Sequence, residues 1–237
     1  IRKLFLRKEF PEPVADAIRA AYRDLSQRYD RDELDVAVRS SATAEDLPEA
    51  SFAGQQETFL NIQGEEDLLE ACRRCYASLF TNRAISYREE KDFSHMQVAL
   101  SVGVQRMVRS DKGSAGVMFS IDTETGFPDV AIINAAWGLG ETVVQGSVTP
   151  DQYTVFKPLL KGEDGGESPY RPIVQKKRGP KEKKMVYASE GSASTETVET
   201  SSKEQSRFVL EDEEILQLGR WAATIEALDT AEVRAVS

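Results

Sequence analysis

The chain is poor in cysteine and histidine. Its 237 residues contain two cysteines, Cys72 and Cys75, and a single histidine, His95. Two cysteines cannot build a disulfide framework, and a Cys-x-x-Cys spacing with no second pair or nearby histidine is a weak zinc or redox motif. Because both cysteines lie on one side of a helical pattern, they predict buried, reduced thiols, which is typical of a cytoplasmic protein.

Basic residues are fewer than acidic residues, and long apolar runs are missing. Lys and Arg number 30 against 40 Asp and Glu, and the resulting net charge of −10 argues against nucleic acid as a partner. No apolar run reaches the length of a membrane span and no signal peptide is evident, so no membrane partner is expected. A hydrophobic content of 40% in 237 residues suits one large globular domain or two lobes.

Two widespread nucleotide-binding motifs, Gly-x-x-x-x-Gly-Lys-Ser/Thr and Gly-x-Gly-x-x-Gly, are missing. The informative stretch is instead residues 36–60. It opens with an apolar run from Val36 to Val38, which predicts a short buried strand and ends on Arg39. The five-donor fork of a guanidinium suits bidentate contact with a phosphate. An arginine after a short strand is also commonly a surface charge, so both interpretations stand.

A segment of small, flexible residues follows this strand and Arg39. Residues 51–56 contain Gly54 and lead into a β-prone run that starts at Thr58. The guanidinium of Arg39 and the loop that contains Gly54 therefore lie on either side of one turn. This arrangement is suited to binding a polyphosphate between them. A glycine in a loop is equally typical of an ordinary turn.

Apolar periodicity predicts helices and strands on either side of this stretch. Helical spacing after two prolines predicts a helix over about 11–29, and acidic residues at 65–67 followed by one apolar face predict the strongest helix. Residues 98–108 predict a strand. Near its end, Gln105 offers a donor and an acceptor that suit an adenine edge, although a simple outward-facing glutamine fits the same alternation.

Further strands point to an α+β fold. A turn at 110–116 and a strand at 117–121 predict a hairpin with the preceding strand, and another strand is predicted at 130–134. Consecutive strands joined by short turns predict mainly antiparallel sheets. Asp122 and Glu124, in the turn between two of these strands, are expected to be surface acids.

The last third of the chain is less regular. Glu141 fits either a cleft carboxylate or a helix-start acid. The basic residues at 176–184 fit either electrostatic attraction of a triphosphate or a solvated hairpin. Residues 188–206 are rich in Ser, Thr and Glu and predict a flexible excursion, and apolar spacing over about 211–228 predicts a final helix.

Three segments together resemble a known family. They are Val38-Arg-Ser-Ser-Ala-Thr-Ala-Glu-Asp-Leu-Pro, Ser51-Phe-Ala-Gly-Gln-Gln-Glu-Thr and Ala135-Ala-Trp-Gly-Leu-Gly-Glu-Thr-Val-Val-Gln-Gly-Ser-Val-Thr-Pro-Asp. They look like the nucleotide domain of phosphoenolpyruvate synthases (pyruvate, water dikinases), in a group with rifampin phosphotransferases and pyruvate phosphate dikinase. The similarity covers about residues 10–228. It implies an ATP-grasp-like fold with two lobes, mainly antiparallel sheets and flanking helices.

The resemblance also implies how the chain is organised. Residues 1–237 would form a partial nucleotide-binding domain. Residues 36–108 would contact phosphate and adenine, and 109–187 would form the second lobe. The flexible excursion at 188–206 and a closing helix at 211–228 would follow.

Carried over residue by residue, the resemblance implies a set of ATP-binding positions. They are Arg39, Gly54, Gln55, Thr58, Gln105 and Val108. Arg39 would hold the phosphates and stabilise charge during transfer, which makes it the implied catalytic residue. Gly54 would let its loop close over the phosphates, Thr58 would offer a hydroxyl, and Gln105 would read adenine.

The activity implied is phosphorylation of pyruvate by ATP and water through a phosphohistidine on another domain, giving phosphoenolpyruvate, AMP and phosphate. The partners would be ATP, Mg²⁺ and the phosphohistidine and pyruvate-binding domains of a parent protein. The family's lysine-bearing Gly-rich start and its acidic Mg²⁺-binding strand have no counterpart here. No metal ligand is therefore assigned, and the chain alone is expected to be inactive. A rifampin phosphotransferase domain and a truncated, non-catalytic nucleotide-binding module are the alternatives.

Overall fold

The protein divides into two compact units of mixed helix and sheet. The computed structural model describes residues 1–42, 46–47, 50–51, 58–95, 98–160, 170–188 and 195–236, with side chains except at 42, 46–47, 50–51 and 229–236. Unit 1 comprises Ile1–Val108 and Ala188–Thr195, and unit 2 comprises Arg109–Tyr187 and Glu196–Ser237. The strand pairs of the three-stranded and four-stranded sheets and the β2–β3 pair are antiparallel, so the prediction of an α+β fold with mainly antiparallel sheets is confirmed.

Unit 1 places two long helices on a small sheet. Its elements are α1 (Arg2–Arg7), α2 (Glu12–Arg28), β1 (Val36–Ala42), β2 (Asp46–Leu47), β3 (Ala50–Ser51), β4 (Thr58–Ile62), α3 (Glu65–Ser78), α4 (Asn82–Glu90) and β5 (Leu100–Arg106). The three-stranded sheet has the order β4-β1-β5, so β1 is its central strand. The predicted helix at 11–29 is confirmed by α2.

Alternation along β1 decides which face of this sheet is buried. Successive side chains of a strand point to opposite faces. Val36 and Val38 are fully buried in a core with Leu68 and Cys72 of α3 and Tyr22 of α2. The helices therefore cover one face, and the other face carries the odd-numbered residues of β1.

Tyr22 also fixes the chain around this core. Its hydroxyl donates to the backbone oxygen of Leu34 at 2.8 Å and accepts from the backbone N–H of Gly64 at 3.1 Å. Gly64 adopts a φ of 84° immediately before α3, a backbone conformation that glycine reaches without steric cost. The tyrosine thus joins α2 to the two turns that lead into β1 and α3.

The two cysteines lie on the buried side of α3, and both are free thiols. Burial raises the pKa of the Cys72 thiol to about 11. At pH 8 roughly one Cys72 thiol in a thousand is therefore ionised, and the thiolate is the reactive form. We expect a disulfide-exchange reagent to label neither cysteine in the native protein and both in urea. Rapid labelling of the native chain would contradict the assignment of these residues to the core.

Unit 2 is built on a four-stranded sheet of order β6-β7-β8-β9. Its elements are short 3-10 helices at Ser110–Lys112 and Lys157–Leu160, β6 (Ser114–Phe119), β7 (Val130–Trp137), α5 (Glu141–Val144), β8 (Asp151–Phe156), β9 (Ile173–Lys177), β10 (Lys183–Tyr187), β11 (Thr195–Glu199), α6 (Ser202–Ser206) and α7 (Asp212–Val236). Its core joins Ile133 of β7 and Tyr153 and Val155 of β8 to Ile215 and Ala222 of α7.

A buried ion pair connects distant segments of unit 2. Asp151 and Lys181 are both fully buried, and Lys181 Nζ lies 2.5 Å from Asp151 Oδ1. The same carboxylate accepts from the backbone N–H groups of Gly179 and Val209, each at 2.8 Å, and from the Tyr153 hydroxyl at 3.2 Å. One carboxylate therefore holds the start of β8, the loop before β10 and the segment before α7.

The predicted hairpin of β5 and β6 is wrong, because these strands belong to different sheets. The predicted turn at 110–116 is also too long. Strand β6 already begins at Ser114, which pairs with Trp137. Gly116, which resembles a turn residue in sequence, lies within β6, where a Cβ would come within 2.0 Å of the Asn134 backbone oxygen. Close packing against β7 therefore explains this glycine.

The predicted flexible excursion at 188–206 needs a partial correction. Residues 189–194 lie outside the described part of the chain, but β11 and α6 are regular structure. Ser201 and Glu204 form a reciprocal capping box at the start of α6. The Ser-x-x-Glu spacing that signals such a box is present in the sequence and was outweighed by the polar composition around it.

Candidate functional site

Arg39 lies on the face of the unit 1 sheet that the helices leave open. Within β1 its register partners are Thr58 on β4 and Gly103 on β5. Directly opposite residues of an antiparallel pair point to the same face, with Cβ atoms about 5 Å apart. Arg39 is exposed and Thr58 is half-buried. Two residues that the sequence placed in one site are thus neighbours on one surface.

Gln105 belongs to the same surface. It pairs with Ala37, two residues before Arg39 on β1, and its side chain is exposed. A diagonal pair of this kind lies about 7–8 Å apart, within the reach of one ligand. The open face of the three strands therefore carries the guanidinium of Arg39, the hydroxyl of Thr58 and the amide of Gln105.

Of the remaining predicted positions, the structure describes only Val108, and it is not part of this cluster. Val108 is 78% exposed and follows Met107, whose backbone N–H donates to the Asp35 backbone oxygen at 3.0 Å just after β5 ends. Gly54 and Gln55 lie outside the described residues. The structure thus brings together Arg39, Thr58 and Gln105, while Val108 lies beyond the end of the strand.

The guanidinium of Arg39 is exposed and has no carboxylate partner among the described residues. Among the described residues, no carboxylate forms an ion pair with it, whereas Arg23 contacts Glu65 at 2.6 Å and Arg109 contacts Asp111 at 2.8 Å. An exposed guanidinium without a carboxylate partner keeps all its donors for an anion. Arg39 is therefore equipped to bind a phosphate group.

Four of the six basic residues at 176–184 make contacts within unit 2. Lys176 contacts Asp212 at 2.7 Å, Lys184 contacts Glu204 at 2.6 Å, and Arg178 donates to the Ser206 backbone oxygen at 2.6 Å. Lys181 is neutralised by Asp151 in the core. These contacts fix β9, β10 and α6 to their neighbours, and they favour a structural role for these four residues.

The acidic residues singled out in the sequence also have local roles. Asp122 accepts from the backbone N–H of Glu124 at 3.0 Å and from the Thr125 hydroxyl at 2.7 Å. These hydrogen bonds, that from Thr125 first, hold the pKa of Asp122 below its usual value. Glu141 is the first residue of α5 and accepts from Gln145 at 2.7 Å. In the part of the chain that is described, no three His, Cys, Asp or Glu side chains group to hold a metal ion.

A spacious cavity lies elsewhere, in unit 2. It measures about 560 Å³ and is lined mainly by apolar groups of β6, β7 and α7, among them Met118, Ile133 and Trp221. None of the predicted site residues lines it. Size alone therefore does not identify the site, and the open face of the unit 1 sheet remains the better candidate because its polar groups converge.

Known proteins provide an independent comparison. A family model described as "Pyruvate phosphate dikinase, AMP/ATP-binding domain" matches residues 1–229. The chain belongs to this family. Among relatives named phosphoenolpyruvate synthase, that of Synechocystis sp. is 57% identical over 229 residues, or 95% of this chain and 27% of the relative. Those of Helicobacter pylori and Escherichia coli are 56% and 49% identical, each over 95% of this chain.

Membership of this dikinase AMP/ATP-binding family rests on nearly the whole chain. The chain spans 27% of the length of the Synechocystis and Helicobacter relatives and 28% of the Escherichia coli relative. It therefore corresponds to one region of those longer proteins. No helix among the described residues combines the length and apolar character that crossing a bilayer requires.

Proposed function

We propose that this chain is the ATP-binding part of a phosphoenolpyruvate synthase. The observation that carries the proposal is the convergence of Arg39, Thr58 and Gln105 on one open sheet face. Family membership supports it, since the matching family is named for AMP and ATP binding. The relatives' names favour a synthase over a rifampin phosphotransferase.

The three side chains contact different parts of the nucleotide. Arg39 contacts the phosphates and stabilises charge that develops as a phosphoryl group leaves. Thr58, its neighbour across the sheet, donates a hydrogen bond from its hydroxyl to the same phosphates. Gln105 presents its amide to the adenine edge. Gly54, Gln55 and Val108 are the other implied ATP-binding positions of this proposal.

The proposal extends to the architecture. The fold is ATP-grasp-like, with residues 36–108 as the part that contacts phosphate and adenine and 109–187 as the second lobe. Helix α7, which contains nearly all of the predicted closing helix at 211–228, closes the domain, so that 1–237 make up a partial nucleotide-binding domain. The two free, buried thiols support a cytoplasmic location.

The chemistry of the whole protein needs other domains. We assign the phosphohistidine and the pyruvate-binding site to parts of a longer protein outside this chain, because the chain spans 27% of its Synechocystis relative. That protein would convert pyruvate, ATP and water to phosphoenolpyruvate, AMP and phosphate. The main Mg²⁺ ligands are assigned to regions outside this chain, because the sequence shows no counterpart of the family's acidic Mg²⁺-binding strand. The chain by itself binds ATP without turning it over.

Replacing Gln105 by Ala tests the assignment of the adenine contact. We expect calorimetric titration with Mg·ATP to show about 3- to 10-fold weaker binding, since one neutral hydrogen bond contributes about 1 kcal/mol. Discrimination against GTP should fall with it. Gln27→Ala, at an exposed site on α2, is the matched control and should bind as the parent does. Equal affinities for Gln105→Ala and the parent would remove Gln105 from the site.

A further inference from the structure

Gly103 occupies the middle of β5, directly opposite Arg39. The pairing of β5 with β1 runs without a register shift from Val36 and Arg106 to Ala42 and Leu100, so no bulge accounts for the glycine. Glycine in a strand interior weakens the strand, because it loses more backbone entropy than other residues and has no side chain to pack. Its presence at this point calls for a reason.

The described residues supply no such reason. The backbone at Gly103 is outside the left-handed region, and an added Cβ would meet only the Arg39 backbone oxygen among the described residues, at an ordinary contact distance of 3.8 Å. Gly116, the glycine of β6, is different, since a Cβ there would collide with the Asn134 backbone oxygen. Within the described structure, Gly103 could be a larger residue without strain.

The position of Gly103 points to a ligand. It lies on the open face between two of the proposed contacts, about 5 Å across the sheet from Arg39 and about 7 Å along β5 from Gln105. Strand glycines without a local cause often mark the close approach of a ligand. In a nucleotide, the ribose and its ester oxygen are the part that joins the base to the phosphates.

We propose that Gly103 is a specificity-determining position, whose missing side chain leaves room for the ribose of the nucleotide to lie against β5. This inference rests on the proposed function, because it takes Gln105 as the adenine contact and Arg39 as the phosphate contact. It adds a steric requirement at a residue that has no functional group. The site accepts a ligand with a sugar between base and phosphate, and a side chain at position 103 excludes that sugar.

The test combines two substitutions with two ligands. Gly103→Ala and Gly103→Val should fold with melting temperatures equal to or above that of the 237-residue parent, since valine favours strands. Affinity for Mg·ATP should fall about 3-fold for Gly103→Ala and about 30-fold or more for Gly103→Val, a usual range for overpacking. Inorganic tripolyphosphate, which lacks the ribose, should bind Gly103→Val and the parent equally.

The outcomes separate this inference from the function on which it rests. If the parent binds ATP with a dependence on Arg39 but Gly103→Val binds it equally well, the role of Gly103 is overturned and the proposed function stands. A matching loss of tripolyphosphate affinity in Gly103→Val would also overturn it, because the substitution would then act through Arg39. A folded parent that binds no ATP would overturn both.

Discussion

Replacing Arg39 by Ala should weaken the binding of Mg·ATP by about 5- to 150-fold. A hydrogen bond to a charged group contributes about 1–3 kcal/mol, and the Arg39 side chain is exposed on the proposed binding face. Arg39→Lys should restore affinity in part, since an ammonium keeps the charge but cannot make the bidentate contact. Isothermal titration calorimetry of the three proteins measures both effects.

Arg28→Ala is the matched control for this substitution. Arg28 is also exposed, but it lies on α2 and already contacts Asp24 at 2.5 Å. Its removal should leave ATP affinity unchanged within about 2-fold, because a surface ion pair contributes at most about 1 kcal/mol to stability and none to a distant ligand. Equal affinity in Arg39→Ala and the parent would show that this face of the sheet does not bind the phosphates.

Replacing Asp151 by Ala should lower the free energy of unfolding by about 3–5 kcal/mol. The substitution leaves the ammonium of Lys181 fully buried without its counter-ion. It also removes the acceptor for the backbone N–H groups of Gly179 and Val209. Urea unfolding monitored by fluorescence of Trp137, which packs in the core of unit 2, measures the loss.

Two further variants give this prediction its controls. Asp151→Leu combined with Lys181→Met should be less destabilised than the sum of the two single changes, since an apolar pair removes the uncompensated charge. Asp24→Ala, which breaks an exposed ion pair, should cost less than about 1 kcal/mol. A loss below about 1 kcal/mol in Asp151→Ala would contradict the view that this carboxylate organises unit 2.

The elements of unit 1 were largely predictable because their patterns are local. Prolines at 11 and 13 followed by helical spacing predict α2, and the apolar run from Val36 to Val38 predicts the start of β1. Strand β5 was predicted two residues too long at each end. Amphipathic elements such as these depend on neighbours three or four residues away along the chain, which a single sequence displays.

Long-range partners explain what the sequence did not reveal. The pairing of β6 with β7 sets the start of β6 at Ser114, and composition gives no sign of that register. Lys181 lies in a basic run typical of solvated loops, yet it is fully buried because Asp151, 30 positions earlier, neutralises it. A charge pattern in sequence cannot specify a partner that only the fold brings close.

In the candidate site, too, the individual residues were predictable but their long-range arrangement was not. The resemblance supplied Arg39, Thr58 and Gln105 one by one, but their convergence follows from the order β4-β1-β5. Gly103 was missed, although a glycine inside a predicted strand is itself a signal of close approach. Its meaning depends on its register opposite Arg39, which pairing alone discloses.

The central claim, that a nucleotide binds on the open face of the unit 1 sheet, is tested most directly by NMR titration of the isotope-labelled chain with Mg·ATP. The account predicts saturable shifts of the backbone amides of Arg39, Thr58, Gly103 and Gln105, with little change at Tyr22 and Leu68 on the covered face. Saturable shifts confined to α2 and α3, or the absence of shifts on β1, β4 and β5, would contradict this claim.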